Sequence, residues 1–372
     1  MIVLEYWEAI NDVVDVNEIK TESDRVRLAI NGIVHGFRKS PLEMRDSGRC
    51  NIDVACPLGN KYRDLINSVG IFITDQGQRF CTGAMLNNPR QDGRQLFLTA
   101  NHCIFQDTSR FIVGFNYQFK TCVSGGAPFT GEPAMHTVQG MRLLATWDKS
   151  DFALLEILEN IPDSYNVYYA GWTRENVAPK NVTGIHHPSG DVKKISLFTG
   201  TTFPGSWQEQ PRTYHWKVPA WTFGVTEPGS SGSPLFNDKG RVVGHLHGGQ
   251  SSCEMLKGYD LYGALVYDWE TGPGLRNRLK QILDPENKRV RGMGGNYYTS
   301  SKKGPVKEAV DKVLVETEES RSGSAMEESN NGNELVRKTL TAKVVNAMTD
   351  AAAMAQNAAL NHMEPPKLNK AH

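Results

Sequence analysis

The sequence predicts an all-β protein: two small six-stranded antiparallel barrels packed together, a C-terminal helix, and a tail that is disordered or partly helical. Three observations carry this prediction. Short apolar runs bounded by Gly, Pro, Asn and Asp recur through the middle of the chain. The composition, with 35 glycines and seven tryptophans in 372 residues, suits tight turns and a β core better than a helical bundle. At least ten strand-length segments follow one another with loops between them, a pattern that suits two barrels with a site in the crevice.

Residues 1–49 hold two strand-like pieces, Ile2 to Trp7 and Val26 to Phe37, the second with alternating Val26, Leu28 and Ile30 before an Asn31-Gly32 turn signal. They are too short to bury a core alone. The main domain, 50–292, carries strand candidates at 68–74, 79–86, 95–100, 110–116, 152–158, 167–172, 194–198, 214–218, 241–247 and 262–266. It ends in a helix from Gly274 to Leu283, whose Leu275, Leu279, Ile282 and Leu283 share one face, with Pro285 as the stop. The tail, 293–372, changes character after Tyr298. The run from Glu316 to Glu334, rich in Glu, Ser, Asn and Gly, reads as a disordered linker, and Glu334 to Met363 reads as a marginal Ala-rich helix.

Lysine plus arginine balance aspartate plus glutamate at 41 each, so nothing marks nucleic acid or an anionic membrane as a partner. No apolar segment reaches the length of a membrane span. The six cysteines, Cys50, Cys56, Cys81, Cys103, Cys122 and Cys253, contain no Cys-x-x-Cys pair and read as three disulfides formed in an oxidising compartment. The opening residues, Met1 to Glu8, do not read as a signal peptide, because acidic residues interrupt a short apolar run.

The stretch Thr226-Glu227-Pro228-Gly229-Ser230-Ser231-Gly232-Ser233-Pro234 organises the functional reading. Two glycines and two prolines between apolar runs force a tight loop, on which a serine can face outward and the amides of Gly229 and Ser231 can converge on a developing oxyanion. His102 ends the apolar strand Leu98-Thr99-Ala100, beside Cys103. Asp151 stands at the mouth of Phe152-Ala153-Leu154-Leu155, where an unpaired charge is costly. Taken singly, each has an ordinary reading: a surface turn, a core histidine, a strand-initiating acid. Taken together, His102, Asp151 and Ser231 occur in the order of a chymotrypsin-like nucleophilic triad, each in a context that suits its role.

With Cys50-Asn51-Ile52-Asp53-Val54-Ala55-Cys56-Pro57, Leu98 to Cys103, Ser150-Asp151-Phe152, Gly184 to Pro188, Gly229 to Pro234 and His247-Gly248-Gly249 added, residues 50–291 resemble the trypsin-like serine proteases, and within them the bacterial lysyl endopeptidases. The resemblance implies pairing of Cys50 with Cys253, Cys56 with Cys122, and Cys81 with Cys103. It implies a secreted, monomeric endopeptidase without cofactor or metal, acting on protein or peptide substrates with lysine before the scissile bond. Position Val225, where trypsin carries its pocket acid, is apolar. The resemblance instead assigns Asp260 as the pocket carboxylate, His247 and Trp207 as wall residues, and His247, Gly248 and Gly249 as the edge that pairs with substrate backbone. It also makes 1–49 the remnant of a propeptide, with self-cleavage expected after Lys39. Ser230, where vertebrate-type enzymes carry an aspartate, excludes activation by an ion pair with a new N-terminus.

Two alternatives stay open at this level: a catalytically silent binding protein on the same fold, and a glutamate-selective enzyme using His247 in its pocket. His186-His187-Pro188 lacks a third metal ligand at sensible spacing and reads as structural, while Asn181-Val182-Thr183 is an N-glycosylation acceptor if the chain is secreted by a eukaryote.

Overall fold

A computed structural model describes residues 47–123, 133–208, 210–270 and 278–299, together with the backbone of 4–10 and 334–340. The chain divides into two units. In one, Leu4–Ile10 pairs antiparallel with Glu334–Leu340, from Leu4 opposite Leu340 to Ile10 opposite Glu334. The start of the Ala-rich stretch is thus a strand and not a helix: pairing with a partner strand overrides weak helix propensity. The strand expected at Val26 to Phe37, the cleavage point at Lys39, Leu275 and most of the tail lie outside the described residues.

The other unit is built on two large sheets of antiparallel strands, each closed on itself. In the first, the order is His136–Gln139, Ile112–Phe115, Val69–Ile73, Arg79–Leu86, Leu96–Ala100, Phe152–Ile157 and Met141–Trp147. The two outermost segments of that order are consecutive in the chain, joined only by Gly140, so the sheet's edges meet and six strands make a barrel. Gly140 has φ +81°, and its N–H donates to Phe111 O while its carbonyl accepts from Leu158 N–H. This is a backbone corner that glycine enters without strain.

The second sheet repeats the device. Phe203–Gly205, His215–Val218, Asp260–Ala264, Val242–Gly249, Pro234–Phe236, Lys180–His186 and Lys194–Thr201 follow in order. Its first and last segments are joined through buried Thr202. Short strands at Ile52–Asp53, Trp172–Thr173 and Gly292–Met293 extend it. Alternating residues fill each interior, with Phe72, Phe97, Phe111, Phe115 and Leu155 in the first barrel and Trp216, Val218, Leu246 and Tyr262 in the second. Phe97 is wholly buried and packs edge-on against Phe72 at 5.2 Å between ring centroids. Truncation to alanine is expected to cost about 3–5 kcal/mol in denaturant unfolding.

The cysteines close as Cys50–Cys253, Cys56–Cys122 and Cys81–Cys103, the pairing that the resemblance implies. The C-terminal helix is short, Leu279–Leu283, and buries Leu279 and Leu283. Packing continues past the boundary at 292. Asn296–Tyr297 pairs with Tyr168–Tyr169, and the buried Tyr298 donates its hydroxyl proton to Asn87 Oδ1 at 2.7 Å.

Candidate active site

His102 and Asp151 leave adjacent strands of the first barrel at the same end. Ala100 is opposite Phe152 in the ladder, so the next residue of one strand and the preceding residue of the other meet beyond it. Asn101 N–H donates to Asp151 O at 2.6 Å. Asp151 takes a left-handed φ of 65°, and its carboxylate accepts from His102 N–H at 2.9 Å and from His102 Nδ1 at 2.7 Å. The acid is buried, at 4% side-chain exposure, while the imidazole keeps 42%. A buried carboxylate on Nδ1 fixes the proton there and leaves Nε2 as the unprotonated nitrogen.

The serine turn is fastened to the strands that carry this pair. Thr82 N–H donates to Ser231 O at 2.8 Å, Thr82 Oγ1 donates to Gly229 O at 2.9 Å, and Thr99 Oγ1 donates to Thr82 O at 2.8 Å. Cys81, next to Thr82, is bridged to Cys103, next to His102. Ser231 is therefore held on the His102 side of the crevice. Among the described residues the amides of Gly229 and Ser231 donate to no acceptor, although they lie on one bend with Gly229 at φ +94°. Two unengaged N–H groups flanking a serine form a ready anion site. Gly232, at φ +79°, admits no side chain: a Cβ there would stand 2.2 Å from Thr99 Oγ1 and 2.4 Å from Thr82 O. Gly232→Ala is expected to lose about 2–4 kcal/mol of stability, and an unchanged midpoint in denaturant would contradict this packing.

Against this geometry stand the comparisons with known proteins. A family described as "Lysyl endopeptidase, C-terminal domain" matches residues 44–263, more than half of the chain. The chain belongs to the lysyl endopeptidase family. The "Lysyl endopeptidase" of Pseudomonas aeruginosa is 32% identical over 224 residues, covering 56% of this chain and 46% of that protein. The chain thus spans about half the length of that relative. Among solved structures, human heparin binding protein aligns at 17% identity and TM-score 0.38, over 56% of this chain and 95% of the other. The thermostable serine protease AL20 from an extremophilic microorganism aligns at 16% identity and TM-score 0.38, over 54% and 92%.

The other residues singled out in this family member fall into two groups. Asp260 is wholly buried in the second barrel, where Oδ2 accepts from Trp221 Nε1 at 2.6 Å and Thr226 Oγ1 at 2.8 Å. Oδ1 has no hydrogen-bond partner among the described residues. Burial pushes its carboxyl up to about 6, against the stabilising bonds from Trp221 and Thr226 and the weaker favourable field of nearby Ser251, which makes no bond of hydrogen-bonding geometry to it. Gly249 faces that oxygen, and a Cβ there would lie 2.3 Å from Oδ1. Gly248 and Gly249 pair with Leu261 and Asp260 on one side only. Pairing with Pro234–Phe236 along the opposite edge stops at His245, and Leu246 meets only the serine turn. Past Leu246 that edge has no strand partner among the described residues.

His247 lies against the acid–base pair. Its ring stacks on Trp207 at 3.6 Å, faces His102 at 5.9 Å, and brings Nε2 to 3.6 Å from Asp151 Oδ2. Nδ1 is bonded to His215 Nε2 at 2.9 Å. Burial lowers His247 to about 4 and His215 to about 3, so both are neutral near pH 7. Ligand-type atoms of His102, Asp151 and His247 lie within 4.8 Å of one another, but His102 Nδ1 is already spent on Asp151, and bridged Cys81 and Cys103 offer no thiolate.

Three partners escaped the sequence reading. Trp221 and Thr226 hold the Asp260 carboxylate, and His215 orients His247; each depends on which strands neighbour one another. His186, expected to be structural, is wholly buried and joins Ser230 Oγ at 2.8 Å to Ser196 Oγ at 3.0 Å, with its basicity lowered to about 3 by burial.

Proposed function

We propose that the chain is a serine endopeptidase that hydrolyses peptide bonds on the carboxyl side of lysine. Ser231 attacks the carbonyl, His102 Nε2 takes the hydroxyl proton and returns it to the leaving amine, and Asp151 holds the ring in tautomer and stabilises the imidazolium. The amides of Gly229 and Ser231 receive the oxyanion, each worth about 3–4 kcal/mol in such sites. The resulting ester is cleared by water with His102 as base. Substrate backbone adds to the free edge at His247, Gly248 and Gly249 as an extra strand, and the stack of Trp207 on His247 walls the approach beside His102.

The observation that carries the lysine preference is the unpaired Oδ1 of buried Asp260. Such an oxygen is costly unless a cation meets it, and a compact ammonium on a long apolar stem suits a narrow pocket floored by one carboxylate. The three disulfides suit an extracellular setting. A fluorophosphonate probe tests the chemistry: it should label the oxidatively folded protein but not Ser231→Ala. An unlabelled wild type would point to a silent binding protein.

Asp260 also sets a pH dependence. Its raised value, about 6, means that the anion needed to pair with lysine is present above that pH and lost as pH falls through it. The ratio of kcat/KM for a lysyl over a norleucyl substrate, from which the shared His102 chemistry cancels, is expected to fall about tenfold per pH unit below 6. A ratio that stays flat from pH 8 to 5 would exclude this role.

A further inference from the structure

We propose that Glu227 is a positioning residue that latches the nucleophile turn to the segment Ser47 to Asn51, an inference that rests on Ser231 being the nucleophile. The residue directly before Ser231 is Ser230, which bonds inward to His186. Turn and N-terminal segment are joined instead through the carboxylate at position 227. One oxygen, Oε2, accepts from Gly48 N–H at 3.0 Å and from Asn51 Nδ2 at 3.0 Å. The same three residues are bound to one another, since Asn51 Nδ2 also donates to Gly48 O at 3.0 Å and Asn51 N–H donates to it at 3.1 Å.

The seat is tight. A Cβ on Gly48 would lie 2.3 Å from Cys253 Sγ and 2.6 Å from Glu227 Oε1, so glycine at 48 is what lets the Cys50–Cys253 bridge, the carboxylate and the backbone share this space. Ser47 adds a second anchor, donating from Oγ to Asp191 Oδ2 at 2.5 Å.

What the carboxylate steadies is the part of the turn that does chemistry. Ser230 N–H donates to Glu227 O at 3.0 Å, and Ser230 Oγ meets Glu227 N–H at 3.3 Å. These bonds close a loop that contains Gly229, whose amide is one of the two oxyanion donors. On the other side Glu227 follows Thr226, which holds Asp260. Releasing the carboxylate therefore frees the turn between the pocket and the oxyanion amides, and a shift of about 1 Å there costs on the order of 100-fold in rate. The donors are a mid-chain amide and a side-chain amide. The latch thus needs no terminal ammonium.

The experiment compares the full chain with Glu227→Ala, Glu227→Gln and Asn51→Ala, reading kcat and KM on lysyl amides, the rate of fluorophosphonate acylation, and the melting temperature. Glu227→Ala is expected to lose about 100-fold in kcat and in acylation rate with KM within about threefold. Glu227→Gln, whose Oε1 can accept both N–H groups, should stay within about threefold of wild type. Asn51→Ala, which keeps the carboxylate and Gly48, should lose about tenfold in kcat and provides the test if Glu227→Ala does not fold. Acylation of Glu227→Ala at the wild-type rate, a loss carried by KM alone, or a Gln variant as impaired as Ala would overturn the latch. Failure of wild type itself to acylate would instead remove Ser231 as the nucleophile.

Discussion

Ser231→Ala is expected to reduce turnover of a lysyl substrate by roughly 10⁴- to 10⁶-fold while leaving KM and the unfolding midpoint near wild type. The size follows from how the work is divided. In the proposed mechanism His102 and Asp151 prepare a base, and the amides of Gly229 and Ser231 prepare an anion site, but neither forms a bond to carbon. The hydroxyl does, and removing it leaves only positioning and oxyanion binding. Alanine at 231 also keeps the backbone carbonyl that accepts from Thr82 N–H, so the turn stays in place and the loss reads as chemistry. Active-site titration with a fluorophosphonate, beside steady-state kinetics, checks this. Substantial residual turnover in the variant would mean that another group attacks.

The second large effect concerns selection of substrate. Asp260→Asn keeps an oxygen for Trp221 Nε1 and Thr226 Oγ1 but removes the charge that a lysine ammonium would meet. Lysyl substrates are expected to lose about 10³-fold in kcat/KM, on the scale of a buried charge pair losing one partner, about 3–5 kcal/mol. Acylation by a small fluorophosphonate that ignores the pocket should change little. A panel of peptides with Lys, Arg or Glu before the scissile bond separates the possibilities. Equal lysyl activity in both proteins would remove Asp260 from the pocket, and a gain for glutamyl peptides in wild type would favour a histidine-based pocket.

The residues that were legible in the sequence are those whose chemistry is announced locally. Ser231 stands in a turn of glycines and prolines, and His102 and Asp151 sit at the ends of apolar strands, so each is visible within six to nine residues. The ladder that sets Ala100 opposite Phe152 then brings the last two together. Partners contributed by neighbouring strands were not legible. Asp260 is opposite Val218 and Tyr262 is opposite Trp216, which brings the segment of Trp221 towards the acid, yet no local pattern in residues 214–222 says so. His215 reaches His247 for the same reason.

The fold class, two antiparallel barrels, was readable from short apolar runs and turn residues, whereas the residues at which each barrel closes were not. Closure depends on single residues, Gly140 and Thr202, across which one bent strand passes from one edge of a sheet to the other. The strand at Glu334–Leu340 was not legible because helix propensity was the only local signal there, whereas its pairing with Leu4–Ile10 is a long-range event.

The central claim is tested most directly by digesting a denatured protein of known sequence with the oxidatively folded chain and mapping every new terminus by mass spectrometry. Cuts confined to the carboxyl side of lysine, and absent with Ser231→Ala, are the predicted result. Cuts distributed over other residues, or none with a protein that a fluorophosphonate labels, would contradict it.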